Sequence, residues 1–443
     1  MELLLRRPRS PPKTSRLASE TFDNNHFPNL MKYGRRVTEC RMCQSNHLHT
    51  FIDLGFAPPS DALLTQSELQ EPEVFFPLQV QQCEDCGLTQ TVYAVDPALM
   101  YGEKYKYESS ITQTGTSHFY SMASSIVDTC GIKPDSLAID IGSNVGVLLE
   151  GFRRKGMRVL GIDPAPRICK IANARGIETW QSFMCPEVAH KVVREKGRAQ
   201  VVTATNVFAH IDDKAGLIEA LNLLLDTNGV FVIEVPYLVD LLENLEYDTI
   251  YHEHLEYMSL KPLVLFFGQH GFEVVNVERN EIHGKSIRVF MSRKGERAVQ
   301  PAVPAMLQLE EAKGIYRKEV LQKFAQDVAE SAFELRKLLN QLRQDGKRVV
   351  GISAPAKGNT ILNYCKIGPE LVQYMTEKSV IKQGSYTPGM HIPIVGDAQL
   401  LNDKPDYGII FAWNFANEIM KNNQAFAQRG GKFIIPIPTP KIV

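Results

Sequence analysis

The stretch Ala138–Gly146, Ala-Ile-Asp-Ile-Gly-Ser-Asn-Val-Gly, restricts the fold more than any other part of the chain. Leu137, Ala138, Ile139 and Ile141 predict a short buried strand, and Asp140 with the two glycines marks its carboxyl end. Gly142 and Gly146 allow a sharp turn and a close approach of backbone to ligand, where a Cβ would collide. From Val147 a helix is expected, with its first amides pointing back at the turn. A second strand, Arg158 to Ile162, ends in Asp163, about 20 residues past the glycines, where an acid meets ribose hydroxyls in nucleoside-binding domains. A glycine turn after a buried strand is ambiguous alone. Strand, turn, helix, strand and acid in one unit predict a nucleoside-binding domain.

The dinucleotide fingerprint is G-x-G-x-x-G, whereas Asp140, Gly142, Asn144 and Gly146 give D-x-G-x-N-x-G. That spacing resembles the first motif of class I S-adenosylmethionine (SAM) methyltransferases. Further on come a helix around Pro166 to Arg175, the short segment Glu178 to Phe183, and a strand Ala199 to Ala204 running into Thr205, Asn206 and His210. Gly229 to Val235 is another buried strand. Strands alternating with helices predict a doubly wound parallel sheet. Phe272 to Val277 and Ser286 to Ser292, joined through Ile282-His283-Gly284, predict its antiparallel finish.

The 443 residues leave room for about three domains. With 49 Lys and Arg against 50 Asp and Glu, neither a nucleic-acid surface nor an acidic tail is expected. No apolar run approaches the ~20 residues of a membrane span, so no membrane partner is expected. Residues 1–36 read as a disordered extension, with Met31 as an alternative start. Leu3 to Leu5 is too short for a secretory core, and Glu2, Pro8, Pro11 and Pro12 oppose an amphipathic transit helix, so a cytoplasmic location is expected. Eight cysteines without a signal sequence point to thiols or metal rather than disulfides. Cys40-Arg-Met-Cys43 and Cys83-Glu-Asp-Cys86 form two C-x-x-C knuckles, with Gly87 after the second. A single knuckle also fits a redox pair; two together predict a closed tetrahedral zinc shell of structural type. Their separation exceeds the usual ~15–20 residues, so a folded insert must lie between them.

Between Met100 and Ser110, Tyr101, Tyr105 and Tyr107 stand in a polar stretch just before the nucleoside-binding domain, where one is a candidate substrate contact. The chemically densest segment runs from Tyr247 to Tyr257 and contains Tyr251-His252-Glu253-His254. H-E-H is not the helical H-E-x-x-H metal motif. A neutral imidazole suits proton abstraction near pH 7, a carboxylate can orient it, and a phenol can stabilise an enolate. A polar loop with satisfied histidines is the bland alternative. Val303 to Asp345 is a charged helical segment with Leu321, Phe324, Val328, Phe333, Leu335 and Leu338 as its apolar face, reading as a spacer between domains. Strands at Arg348 to Ser353, Tyr407 to Trp413 and Lys432 to Pro436 predict a second α/β domain. Its first turn, with Lys357, suits a phosphate or is simply structural.

Together these features resemble the nucleotide-sugar C-methyltransferases acting on keto-deoxysugars, from about Thr38 to Val443. The resemblance rests on the paired knuckles, Asp-Ile-Gly-Ser-Asn-Val-Gly at Asp140, Glu253-His254, Gly-Ile-Ser-Ala-Pro-Ala-Lys-Gly at Gly351, and Pro388-Gly-Met-His-Ile-Pro393. It implies a zinc module (37–110), a class I SAM methyltransferase domain (111–300), a helical linker (301–345) and a Rossmann-like domain (346–443) that helps hold the sugar nucleotide. The family's functional histidine maps onto His254, with Glu253 and Tyr251 beside it, and the tyrosine after the zinc module maps onto Tyr107. Asp140, Gly142, Asn144, Gly146, Asp163 and Asn206 become candidate SAM contacts. Tyr107, His210, His283 and Lys357 become candidate substrate contacts. Val145 stands where related sequences often carry Asp. The implied reaction is removal by His254 of the proton α to a sugar ketone, stabilisation of the enolate by a tyrosine, and methyl transfer to carbon. The motifs specify neither the sugar, nor the methylated carbon, nor the oligomeric state. A zinc-module methyltransferase of RNA or another small molecule would share the knuckles and the glycine turn, and a nonenzymatic nucleotide-sugar binder would share the fold.

Overall fold

Strands rich in Val, Ile and Ala, buried on both faces, form the centre of the computed structural model, which describes residues 33–101, 113–280 and 285–443. The chain opens with β1 (Gly34–Arg36), β2 (Leu48–Ala57), β3 (Phe76–Cys83), β4 (Thr89–Thr91) and β5 (Tyr93–Val95), then a single turn of helix, α1 (Pro97–Met100). β1 pairs with β5, so Gly34–Arg36 belongs to the ordered module and not to an unstructured extension. Its position is fixed by backbone pairing, which carries no side-chain signature in so short a run. The insert between the knuckles is the folded β2–β3 hairpin.

The next unit runs α2 (Gln113–Cys130), β6 (Leu137–Ile141), α3 (Val147–Arg154), β7 (Arg158–Asp163), α4 (Pro166–Ala174), β8 (Thr179–Gln181), α5 (Pro186–Lys196), β9 (Ala199–Thr205), α6 (Lys214–Leu224) and β10 (Leu225–Pro236). It continues through α7 (Leu238–Glu243), β11 (Glu256–Tyr257), α8 (Leu260–Gln269), β12 (Phe272–Asn280) and β13 (Ser286–Arg293). The sheet order is β12-β13-β10-β9-β6-β7-β8, parallel from β10 to β8 and antiparallel at β13 and β12. This is the class I SAM methyltransferase fold. Order reverses between β6 and β9, which places a ligand crevice at their carboxyl ends. Met122, Ile126, Leu149 and Phe152 of α2 and α3 cover one face, with Val192 and Leu221 of α5 and α6 in the core of the other. β11 leaves this sheet altogether and completes another, of order β11-β4-β3-β2.

The expected spacer is two helices, α9 (Ala302–Lys313) and α10 (Lys318–Gln344). Leu321, Phe324, Val328 and Leu335 are buried along α10 and Leu338 is half-buried, but Phe333 is 65% exposed. The apolar stripe follows the 3.6-residue period, and Phe333 falls outside it. Beyond lie β14 (Val349–Ile352), α11 (Ala356–Tyr364), β15 (Met375–Glu377), β16 (Ile394–Gly396), β17 (Tyr407–Ile410), β18 (Lys432–Ile435) and β19 (Lys441–Ile442). Their order is β16-β15-β14-β17-β18-β19, parallel except at β19, so α11 opens at a second topological switch point.

Candidate active site

The glycine turn has the geometry its sequence requires. Gly142 and Gly146 have φ of 68° and 80°, and a Cβ would approach Val207 to 2.4 Å and Ile177 to 2.7 Å. The two glycines are therefore demanded by backbone and packing before any ligand is considered. Asn144, with φ of 48°, uses its side-chain oxygen to accept from the amide of Val145. The Asp163 carboxylate, at the end of β7, accepts from the amides of Asn144 at 2.9 Å and Ala165 at 2.9 Å. Burial holds its pKa above the usual carboxylate range despite both donors. Asp140 is turned into the sheet, accepting from the Thr203 hydroxyl at 2.6 Å, and burial pushes it up to about 7.

Beside this turn, the end of α1, the loop after β9 and the segment before β11 together bring four rings into a stack. Tyr101 lies 6.2 Å from His210, His210 5.1 Å from His254, and His254 4.0 Å from Tyr251, centroid to centroid. Nδ1 of His254 is 2.8 Å from the carbonyl oxygen of Thr249, which only accepts, so Nδ1 carries the proton. Nε2 is then a lone pair, and the Tyr251 hydroxyl donates to it across 2.8 Å. Burial pushes His254 down to about 4, and His210 is also held well below its ordinary value, first by burial and then by His254 and Lys214. Both imidazoles are neutral near pH 7. Nε2 of His210 has no hydrogen-bond partner among the described residues. A cavity of about 10 Å³ is lined here by Asn206, His210, Thr249, His254 and Glu256 among others.

Glu253 does not orient His254. Both nitrogens of His254 are taken by Thr249 and Tyr251, and Glu253 accepts from the amide of Asp61 at 3.2 Å. Its other oxygen has no partner among the described residues, and burial, with Asp61 nearby, pushes the carboxyl up to about 7. His252 is 1% exposed, packs its ring against Phe76 and is pushed down to about 4 by burial. It is a core histidine. Lys357 does not stand free either: its ammonium is 3.2 Å from the buried Asp248 and lies over the Trp413 ring. Trp413 also donates to Asp248 at 2.7 Å, and Thr360 donates to the carbonyl of Ile250 at 2.9 Å. Asn359 reaches the carbonyl of Ser60 at 2.7 Å. The first helix of the last sheet thus holds the histidine segment from behind. Tyr107 and His283 lie outside the described residues.

The sulfur atoms of Cys40, Cys43, Cys83 and Cys86 all lie within 4.8 Å of one another, with Cys40 to Cys86 and Cys43 to Cys83 at 3.5 Å. Zn–S bonds of about 2.3 Å require tetrahedron edges of about 3.8 Å, so the four thiolates fit zinc with no open position. Gly87 has φ of 85°, and a Cβ there would meet the Tyr316 ring at 2.7 Å. Neither Thr249, whose role is carried by a backbone carbonyl, nor Arg41, inside the first cysteine knuckle, carries a signal in the sequence.

A zinc binding domain model matches residues 40–101, a methyltransferase domain model 118–277 and a C-methyltransferase C-terminal domain model 281–438. The C-methyltransferase NovU of Streptomyces niveus is 36% identical over 92% of this chain and 97% of its own length. A ubiquinone biosynthesis O-methyltransferase of Leptothrix cholodnii is 30% identical over 107 residues, 24% of this chain and 46% of that one. Among solved structures, magnesium protoporphyrin IX methyltransferase of Synechocystis with bound SAM aligns with 40% of this chain and 79% of that one, at 15% identity and a TM-score of 0.31.

Proposed function

This chain belongs to the C-methyltransferase family, and from that premise we propose that it methylates a carbon α to the ketone of a nucleotide-linked keto-sugar, with SAM as donor. The observation that carries the reading is the Thr249–His254–Tyr251 arrangement, facing the loop that bears Asn206 and His210. A fixed tautomer presents a lone pair on Nε2, and the hydroxyl donor beside it is the group a forming oxyanion needs.

In this reading Tyr251 gives up its bond to His254 when a ketone oxygen arrives, and donates to that oxygen instead. Nε2 is thereby released to take the α-proton, while Thr249 keeps the ring from rotating. Asp163 holds the donor's ribose hydroxyls, the Gly142–Gly146 turn, whose amides are satisfied within the protein, brings backbone close to the nucleoside without a Cβ, and a neutral His210 leaves room for its positive charge. When bound, SAM supplies a methyl group already activated as an electrophile, so positioning does much of the remaining work. The zinc shell, closed by four thiolates, is structural. Lys357, paired with Asp248, contributes to the substrate by fixing α11 against the histidine segment.

Incubation of the protein with SAM and a panel of keto-sugar nucleotides, read by mass, is the deciding test. One sugar nucleotide should gain a single methyl group at carbon. Methylation of an RNA or of a hydroxyl oxygen instead would overturn the assignment.

A further inference from the structure

We propose that Arg41, inside the first cysteine knuckle, is a positioning residue that holds His210 and His254 face to face. Its side chain is 2% exposed, and its partners all lie next to the two histidines or on β4. Nε donates to Asp212 at 2.9 Å, two residues past His210. Nη1 donates to the carbonyls of Thr91 at 3.0 Å and Leu255 at 3.4 Å, the latter adjoining His254. Leu255 joins the two segments directly, since its amide donates to the carbonyl of Ala209, beside His210, at 3.0 Å, and its carbonyl also accepts from the amide of Thr91.

The arginine is itself immobilised. It lies between two zinc ligands, and its amide donates to the side chain of Gln90 at 2.9 Å. Gln90 in turn stands opposite Glu256 where β4 pairs with β11. Burial pushes Asp212 up, but Arg41 and Arg35 outweigh it and hold the carboxylate ionised. A guanidinium is suited to this place because one planar fork serves a carboxylate and two carbonyls at once; an ammonium is a single point. The closed zinc shell and the histidine pair are therefore connected through one side chain. The zinc module, although it offers no open metal position, sets the spacing of the chemistry.

The inference rests on the proposed function only for its kinetic half, and its test has two independent readouts. Arg41→Met, with ¹⁵N-labelled histidine, should retain stoichiometric zinc and wild-type SAM affinity. The Nδ1–H resonance of His254 should shift or broaden, kcat should fall about 10²-fold as expected for a misplacement near 1 Å, and KM should stay within about twofold. Should Arg41→Met fail to fold, Arg41→Lys makes the same comparison, because it keeps the charge and loses the fork. An unmoved His254 resonance in a zinc-replete variant overturns the proposal whatever the activity. A moved resonance with no keto-sugar turnover in the wild type leaves Arg41 in place and removes the proposed function instead.

Discussion

Tyr251 and His254 face each other across a single turn, with the phenol hydroxyl 2.8 Å from Nε2 and the rings 4.0 Å apart. The amide of His254 also donates to the carbonyl of Tyr251 at 3.0 Å, so the pair is tied by main chain as well as side chain. Neither residue can be moved without the other, and the consequences of replacing them separate.

His254→Asn removes the lone pair. Wild-type protein given keto-sugar and inert S-adenosylhomocysteine in deuterated water should exchange the α-hydrogen without methylation. The variant should lose exchange and turnover together, by about 10²–10⁴-fold, with SAM binding intact. Near-normal methylation would dismiss His254 as the base.

Tyr251→Phe removes the donor that favours the neutral ring. The imidazole pKa should therefore rise from about 4, and the acid limb of kcat/KM should move to higher pH. Turnover should slow while calorimetry shows unchanged SAM binding. An acid limb that stays fixed would detach the hydroxyl from His254.

Glu253 titrates against stability in the alkaline direction. Its folded pKa is raised to about 7 from an unfolded value near 4.5, so stability is fully present below about pH 4.5 and declines as pH rises through 7. Glu253→Gln should raise thermal stability at pH 8 by roughly 1–3 kcal/mol, the scale of relieving a buried polar group, with little gain at pH 4.5. Equal gains at both pH values would contradict burial of a charge as the cause.

Cys83→Ser should abolish zinc binding, since three thiolates and a hydroxyl do not make the shell, and should destabilise the first module. Metal analysis of purified wild type should give about one zinc per chain. Stoichiometric zinc in the variant would rule out this ligand set.

Asp163→Ala should weaken SAM binding by roughly 1.5–3 kcal/mol, the range for a hydrogen bond to a charged group. Because the carboxylate also holds the amides of Asn144 and Ala165, a parallel fall in melting temperature is expected. Calorimetry showing NAD bound in place of SAM would overturn the cofactor assignment.

The parallel sheet was legible because its strands carry their own signature: continuous apolar runs, with β6 closed by Gly142 and β7 by Asp163. The metal cluster was legible for a similar reason, since thiol spacing is written in the sequence. Side-chain direction within a turn is not. Glu253 and His254 are neighbours in sequence and bond to different partners, and the partner that fixes the imidazole is the backbone of Thr249, which any residue would supply. The turn at Lys357 reads in sequence as a phosphate cradle or a structural turn alike, because its carboxylate partner, Asp248, is remote along the chain. Hydrophobicity alone places Phe333 on the buried face of α10, and the helical period takes it off that face.

β11 gives the amino-terminal module a debt to the rest of the chain. The edge of its sheet at Thr89–Thr91 is closed by Glu256 and Tyr257, about 165 residues further along. During synthesis that edge must wait, its amides unpaired, until most of the methyltransferase sheet has left the ribosome. The same dependence makes the knuckles a poor unit of exchange: a recombinant that swapped them between relatives at the end of the first module would leave the matching strand behind, and with it the residues that follow His254.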